Sequence, residues 1–216
     1  MLDIALGTFA TYNPQSISPS TSIFDALATM NRLGIHHLPV VDKGQNLIGI
    51  VSHRDLSTRR QPSSLSGPAL RVENVMVRGV YAVDISSPPS VPLRAILDHN
   101  FHCVPVMKNG QLRGMVTSTD YLRELSYGQW PVCNERVDDH MVTIPAGDDL
   151  VFSAVSEVEG LIEESSVVYG EQALGTAAGI MVEYGVTEIA VLDPVSNPIG
   201  ILRVDDILQV IASVLE

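Results

Sequence analysis

One short pattern occurs three times in this chain and limits the folds that it can adopt. A glycine in an apolar run is followed six residues later by an aspartate, in LIGIVSHRDL (47–56), LRGMVTSTDYL (112–122) and PIGILRVDDIL (198–208). The glycine and aspartate pairs are Gly49 and Asp55, Gly114 and Asp120, and Gly200 and Asp206. Self-similarity of this kind indicates tandem copies of one small structural unit.

The residues upstream of each pattern repeat as well. A short apolar run lies at 37–42, 103–108 and 188–193, and a segment with helical character precedes each run at 23–33, 91–101 and 171–185. In the helical segment at 23–33 the apolar residues fall on one helical face, and Thr21 or Ser22 is suited to be its N-cap. Extended pieces at 14–19, 79–89 and 141–146 are expected to begin the units. Each unit thus reads strand, helix, strand, turn, strand, helix.

We therefore predict an α/β protein built from tandem β-α-β-β-α units. A unit of roughly 50–60 residues buries too little apolar surface to be stable alone, so repeats 1 and 2 are expected to pair through their sheets. The predicted boundaries are 1–62 for repeat 1, 70–127 for repeat 2 and 134–216 for repeat 3, with an inserted acidic helix and loop at about 148–170. Repeat 3 is expected to lack a mate in the chain and to bury its open face against a second chain or the insertion.

Charge is distributed unevenly along the chain. The net charge is −12, and residues 134–216 contain 16 Asp and Glu against Arg136 and Arg203. This balance disfavours nonspecific nucleic-acid binding, which depends on dense Lys and Arg. An anion site is therefore expected within residues 1–133. No apolar run approaches the roughly 20 residues that span a bilayer, and the first residues do not predict a signal peptide.

The polar end of each pattern has two interpretations. Ser52 and Asp55, and likewise Thr117 and Asp120, fit a capping box, which needs no ligand. A helix N-terminus also attracts phosphate, and a carboxylate beside it can accept two hydrogen bonds from the cis-diol of a ribose. A hydroxyl and an acid three residues apart could thus bind a nucleotide.

These segments resemble the CBS domain, the cystathionine-β-synthase-type repeat. The resemblance is carried by residues 25–56 and 94–122, by VENVMV (72–77), and by LGTFAT (6–11), which is similar to the start of a repeat in gamma subunits of AMP-activated kinases. It implies paired repeats whose clefts bind AMP, ADP, ATP or S-adenosylmethionine.

The resemblance also implies roles for individual residues. Asp55 and Asp120 would bind ribose, and Ser52, Thr117 and Thr119 would bind ribose or phosphate. His37, Pro39, Cys103 and Pro105 would line the adenine side, and Thr8 or Thr11 would contact ligand. Arg54 belongs to a cationic patch beside the first site that would attract phosphate, or is an ordinary surface residue.

Repeat 3 departs from the pattern. Arg203 stands where the other repeats have Ser or Thr, three residues before Asp206. Arg203 could bind a phosphate through two hydrogen bonds, or pair with Asp205 or another nearby carboxylate. The second alternative is favoured because this region is so acidic.

Other chemistry has little support in the sequence. There is no nucleophile elbow, P-loop or dinucleotide-binding glycine pattern, and His36 and His37 point to opposite faces of a strand. Cys103 and Cys133 make neither a disulfide framework nor a metal site, which favours free thiols in the cytoplasm. We predict no catalytic residue, no metal and no cofactor other than the nucleotide ligand.

The predicted function is regulatory rather than enzymatic. Binding of AMP, ADP or ATP would be transmitted to a regulated partner, such as a kinase or another enzyme, or to a homodimer interface. The alternatives are a ligand-free scaffold, a binder of S-adenosylmethionine, and an enzyme that positions a nucleotide for hydrolysis.

Overall fold

A computed structural model of the chain describes residues 6–58, 70–143 and 167–215. The helices are α1 (Leu6–Phe9), α2 (Ile23–Leu33), α3 (His53–Thr58), α4 (Ser90–His99), α5 (Ser118–Ser126), α6 (Leu174–Tyr184) and α7 (Val204–Leu215). The strands are β1 (Thr11–Tyr12), β2 (His37–Val41), β3 (Leu47–Ser52), β4 (Val83–Asp84), β5 (Cys103–Lys108), β6 (Gln111–Thr117), β7 (Val142–Thr143), β8 (Val167–Tyr169), β9 (Glu188–Leu192) and β10 (Pro198–Arg203). Short 3-10 helices occur at Val72–Asn74, Pro131–Asn134 and Val137–Asp139.

The first helix of repeat 1 forms for local reasons. Ser22 is the N-cap of α2 and accepts a hydrogen bond from the Asp25 N–H, and Gly34 ends the helix with a φ of 63°. The predicted apolar face is buried in the core of repeat 1, together with residues of β2 and β3, except for Leu33 at its end, which is exposed. The helix predicted over 23–33 and the Ser22 alternative for its cap are therefore confirmed.

Tight turns join the two central strands of repeats 1 and 3. The Asp42 carboxylate accepts from the N–H groups of Gly44 and Asn46 at 2.8 and 2.9 Å. Asp193 accepts in the same way from Val195 and Asn197 at 2.9 and 2.8 Å. In both turns the pKa of the aspartate is lowered, chiefly by the hydrogen bond from the asparagine side chain. An Asp that binds the backbone two residues further on is the usual chemistry of such turns.

The strands form three sheets. The orders are β1-β6-β5-β4, β7-β10-β9-β8 and β2-β3. The segment at 141–146, predicted as the first strand of repeat 3, contains β7. This strand lies at an edge of the sheet and runs antiparallel to β10, so it does not have the position of a first strand. The first strand of repeat 3 is instead β8, which precedes α6 and runs parallel to β9. In repeat 2, β4 precedes α4 and runs parallel to β5 in the same way. Most of the predicted insertion falls in residues 144–166, which lie outside the described residues. Residues 167–169 of the predicted insertion form β8.

The repeated glycine is explained by close approach of another strand. A Cβ built on Gly49 would lie 3.0 Å from the Val77 carbonyl oxygen, and one on Gly200 would lie 2.8 Å from that of Val142. At Gly114 the nearest such atom is the Thr11 carbonyl oxygen, at 3.1 Å. A side chain in these places would collide with the crossing backbone.

The crossing segments do not follow the order of the chain. The residues around Val77 stand before repeat 2 in the sequence but pair with β3 of repeat 1 through Ile50. The N-terminal strand β1 instead pairs with β6 of repeat 2, with Thr11 opposite Met115. Repeats 1 and 2 have thus exchanged their edge segments.

The described residues belong to two compact units. One contains repeat 1 together with the sheet strands of repeat 2, up to residue 88 and over 103–116. The α/β fold with the sheets of repeats 1 and 2 brought together is therefore confirmed. The other unit contains residues 89–102 and 117–216, which include the helices of repeat 2 and all of repeat 3.

In the second unit repeat 3 contacts repeat 2 through helices. Helix α5 packs against α6, and α4 packs against α7, so repeats 2 and 3 share a helical core. The buried Tyr121 on α5 donates from its hydroxyl to the Pro89 carbonyl at 2.6 Å, and Trp130 stacks on its ring. The apolar faces of four amphipathic helices can bury one another in this way without any sheet contact.

Candidate functional site

In repeat 1 the end of β3 and the start of α3 are joined around Asp55. Oδ2 of Asp55 accepts from the Ser52 N–H at 3.1 Å and from the Ser52 hydroxyl at 2.6 Å, and the Asp55 N–H donates to Ser52 Oγ at 3.1 Å. This is the capping box that the pattern predicts. The Asp55 side chain is partly exposed, and in the part of the chain that the structure describes its Oδ1 has no hydrogen-bond or ion-pair partner. One carboxylate oxygen is thus available to a ligand.

Two further predicted residues lie beside this aspartate. His37 stands directly opposite Ser52 in the β2–β3 ladder, and Pro39 stands opposite Ile50. Opposite residues of an antiparallel pair project from the same face, so His37, Pro39 and Ser52 share one face of the sheet. Arg54 is an exposed residue of the first turn of α3, one position before Asp55. The structure therefore brings His37, Pro39, Ser52 and Asp55 together.

In repeat 2 the corresponding carboxylate is fully engaged. Oδ2 of Asp120 accepts from the Thr117 N–H and hydroxyl, both at 2.8 Å. Oδ1 accepts from Nη1 of Arg123 at 3.0 Å, and the Asp120 side chain is only 3% exposed. Thr119 is exposed on the first turn of α5. Asp120 is therefore a structural residue in this state, and a ligand would have to displace Arg123 to reach it.

The other residues predicted for repeat 2 lie on different elements. Cys103 and Pro105 are on β5, which belongs to the unit with repeat 1, whereas Thr117, Thr119 and Asp120 belong to the other unit. Burial raises the pKa of the Cys103 thiol to about 12, so it is neutral at pH 7 and acts as a small apolar side chain. Thr11 is on β1 opposite Met115. The side chain of Thr8 lies outside the described residues.

Repeat 3 has an ion pair where repeat 1 has His37 and Ser52. Glu188 and Arg203 face each other in the β9–β10 ladder, with 3.5 Å between Oε1 and Nε. The pairing of Arg203 with a carboxylate is thus what the structure shows, although the partner is Glu188 and not Asp205. Asp206 Oδ2 still accepts from the Arg203 N–H at 2.9 Å, but no hydroxyl completes the box.

A cavity of about 620 Å³ lies between the helices of repeats 2 and 3. Repeat 2 contributes Arg94, Asp98, His102 and Ser118 to its wall, and repeat 3 contributes Glu188, Arg203 and Asp205. The wall thus contains three acidic side chains, two arginines and one histidine. Sequence reasoning missed this cavity, because the lining residues come from separate repeats and form no local motif.

These features agree with comparisons to known proteins. A model of the CBS domain family matches residues 6–60, 72–127 and 155–213, which is most of the chain. The chain belongs to the CBS domain family. Its three CBS repeats are the tandem units that the sequence predicts.

Among solved structures, the chain is similar to CBSX2 in complex with AMP, with 28% identity and a TM-score of 0.50 over 58% of this chain and 98% of that one. It is also similar in fold to MJ1225 from Methanocaldococcus jannaschii, described as an archaeal relative of γ-AMPK, with 17% identity, a TM-score of 0.64, and coverage of 96% and 99%. The latter likeness concerns the fold alone.

Curated relatives match through a shorter part of the chain. The inosine-5'-monophosphate dehydrogenase of Halalkalibacterium halodurans is 26% identical over 120 residues, which is 53% of this chain and 23% of that enzyme. That of Staphylococcus epidermidis is 29% identical over 121 residues, again 53% and 23%. The match spans less than a quarter of these relatives.

The described residues contain neither a candidate membrane span nor a candidate metal site. No helix in 6–58, 70–143 or 167–215 has the length and apolar character of a membrane span. Over the same ranges, no group of three or more His, Cys, Asp or Glu side chains is arranged to hold a metal ion.

Proposed function

We propose that this chain is a regulatory module that binds an adenine nucleotide at repeat 1. The observation that carries the proposal is the state of Asp55, whose Oδ2 is held by Ser52 while Oδ1 is without a partner among the described residues. The hydrogen bonds to Oδ2 fix the orientation of the carboxylate before any ligand arrives. A fixed carboxylate loses little entropy when it accepts from a ribose diol.

The neighbours of Asp55 suit the rest of a nucleotide. The partly exposed His37 lies on the same face of the sheet as Ser52 and offers its ring to a base, whereas Pro39 beyond it is buried. Arg54 is exposed on the first turn of α3 and is the nearest cation in sequence for a phosphate group. A guanidinium binds phosphate through paired hydrogen bonds.

Repeat 1 is preferred over repeats 2 and 3 for a physical reason. Both oxygens of Asp120 already accept hydrogen bonds, and the place of His37 and Ser52 is taken in repeat 3 by the ion pair of Glu188 and Arg203. A ligand would therefore have to break existing interactions in either repeat. We expect a single nucleotide to bind each chain with measurable affinity.

The likeness to an AMP complex of another CBS protein supports an adenine ligand. The proposal is of a cytoplasmic, non-enzymatic module whose occupancy is transmitted to a second copy or to a regulated protein such as a kinase. Such transmission requires that the nucleotide bind one arrangement of the module more tightly than another.

Isothermal titration calorimetry with AMP, ADP, ATP and S-adenosylmethionine tests the proposal. The wild type should bind an adenine nucleotide, and Asp55→Ala should weaken binding by roughly 10- to 100-fold, the usual effect of losing hydrogen bonds to a charged group. Preference for S-adenosylmethionine would change the ligand, and release of phosphate from ATP over hours would indicate an enzyme instead. A wild type that binds none of the four would favour a scaffold.

The chain offers a matched control for Asp55→Ala. Asp25 makes similar contacts with Ser22 at the start of α2: the Ser22 hydroxyl donates to Asp25 Oδ2 at 2.7 Å, and the Asp25 N–H donates to Ser22 Oγ at 3.1 Å. Asp25→Ala therefore removes a similar Ser–Asp side-chain hydrogen bond, worth about 1 kcal/mol, without touching the site. Equal losses of affinity in the two variants would show that Asp55 acts through stability alone.

A further inference from the structure

Two histidines lie side by side at the edge of the candidate nucleotide site of repeat 1. The β2–β3 pairing continues one step beyond His37 and Ser52, where the His53 N–H donates to the His36 carbonyl oxygen at 2.7 Å. The two imidazole rings meet edge to face, with 6.1 Å between their centroids. Because His53 stands between Ser52 and Asp55 in the chain, the pair adjoins the carboxylate that we propose for the ribose.

Most of the hydrogen-bonding capacity of the two imidazoles is unused. Nδ1 of His53 lies 3.3 Å from the Ser57 hydroxyl, and its Nε2 has no hydrogen-bond partner among the described residues. Over 6–58, 70–143 and 167–215, neither ring nitrogen of His36 has a hydrogen-bond or ion-pair partner. His36 is exposed and His53 is partly exposed, so a ligand at the strand end can reach both rings.

The charges around the pair provide no fixed anion for it. The charged and titratable residues of the elements packed around it are Asp25 and Arg32 of α2, His37 of β2, and Arg54 and Asp55 of α3, and β3 contains none. In the part of the chain that the structure describes, no carboxylate forms an ion pair with His36 or His53. A proton on either imidazole therefore adds to the positive charge of Arg54.

A bound nucleotide would supply the missing anion. A phosphate group carries about two negative charges near pH 7. Since the phosphate is attached to the ribose, a ribose held by Asp55 brings it beside His53, two residues away in the chain. A nearby opposite charge favours the charged form of an imidazole, and histidine is the side chain that ordinarily gains its proton between about pH 5 and 8.

We infer that the pair of His36 and His53 takes up a proton when a nucleotide binds at repeat 1, so that acidification strengthens binding. The inference rests on the proposed function and adds regulation of the same site by pH. Linkage is reciprocal, because a phosphate that stabilises the protonated pair is itself bound more tightly by that pair, by the same factor. The affinity for nucleotide therefore rises as the pH falls through the range in which histidine titrates.

Calorimetric titration in two buffers of different ionisation enthalpy counts the protons that binding exchanges. AMP, ADP and ATP are each titrated at pH 7, and each one that binds should show a net uptake of about half a proton. The sign is informative, because a cationic site lowers the pKa of the nucleotide's own phosphate and makes the ligand release a proton. Adenosine, which lacks the phosphate, should bind without uptake.

Substitutions assign the proton to the pair. Between pH 6.5 and 8 the wild-type affinity should fall at least about fivefold, whereas the double variant His36→Gln, His53→Gln should change less than about twofold. Each single change should reduce the uptake. His36→Lys keeps a positive charge at every pH used, so it should bind at pH 8 at least as tightly as the wild type. His99→Gln, at the exposed end of α4, is the matched control and should behave as the wild type does.

The outcomes separate this inference from the proposed function. Nucleotide binding without proton uptake, or uptake that persists in the variants, would overturn the inference and leave the proposed function intact. Failure of AMP, ADP and ATP to bind at any pH would overturn both. Circular dichroism melting shows whether each variant is folded, and the single changes at the exposed His36 decide the matter if the double variant unfolds.

Discussion

Asp120 and Arg123 form an ion pair one helical turn apart on α5, with 3.0 Å between Oδ1 and Nη1. The residue three positions after Asp55 in repeat 1 is Thr58, whose hydroxyl donates to backbone carbonyls instead. The capping boxes of repeats 1 and 2 thus differ at Oδ1 of the aspartate. This oxygen accepts from Arg123 in repeat 2 and has no partner among the described residues in repeat 1. This difference decides which repeat has a carboxylate available for a ligand.

Removing the Arg123 side chain should allow repeat 2 to bind a nucleotide. Arg123→Ala removes the guanidinium that donates to Oδ1 of Asp120, so we expect calorimetry to detect a second, weaker nucleotide site in addition to that of repeat 1. The cost in stability should stay within about 1 kcal/mol, because the Arg123 side chain is 40% exposed. Arg32→Ala, on the surface of α2, serves as the control. An unchanged stoichiometry would show that burial of Asp120, and not Arg123, closes the site.

Adding one methyl group at Gly200 should destabilise repeat 3. A Cβ there would meet the Met141 sulfur at 2.5 Å and the Val142 carbonyl oxygen at 2.8 Å, so Gly200→Ala should lower the free energy of unfolding by about 1–3 kcal/mol. Gly179→Ala on α6 is the control, since its nearest neighbour is Ser126 Cβ at 3.6 Å. That change should be neutral or stabilise by up to about 1 kcal/mol. Urea unfolding measures both, and equal stabilities would contradict the crossing of β7 over Gly200.

The Cys103 thiol should be unreactive in the folded chain. Burial raises its pKa from the ordinary 9.0 to about 12, so very little thiolate forms at pH 8. As the pH rises from 9 toward 12, the unfolded chain loses this proton before the folded chain does, and the thiol then favours unfolding. In a Cys133→Ser variant, alkylation by iodoacetamide at pH 8 should be at least about 100-fold slower in buffer than in urea. Native labelling at the rate of a free thiol would show that Cys103 is accessible.

Local chemistry made much of this chain predictable. The face of α2, its Ser22 cap, the turns at Asp42 and Asp193, and the boxes around Asp55 and Asp120 each depend on residues within about one or two turns of one another. The repeats could be recognised for the same reason, since each unit contains its own set of local signals.

The edge segments show where such reasoning stops. VENVMV (72–77) and VDDHMV (137–142) have nearly the same pattern, and each lies against a repeated glycine. The first pairs with the repeat that precedes it and the second with the repeat that follows it. Which sheet an edge strand joins depends on which unpaired strand lies near it in space, and a local pattern contains no such information.

The sequence by itself determined the repeated unit, its elements and the acids at the helix ends, because neighbouring residues in the chain set those interactions. Only the tertiary structure decided that Arg123 pairs with the buried Asp120 and that repeat 3 packs its helices on those of repeat 2. These outcomes depend on burial and on contacts between distant segments, and burial is a property of the folded chain.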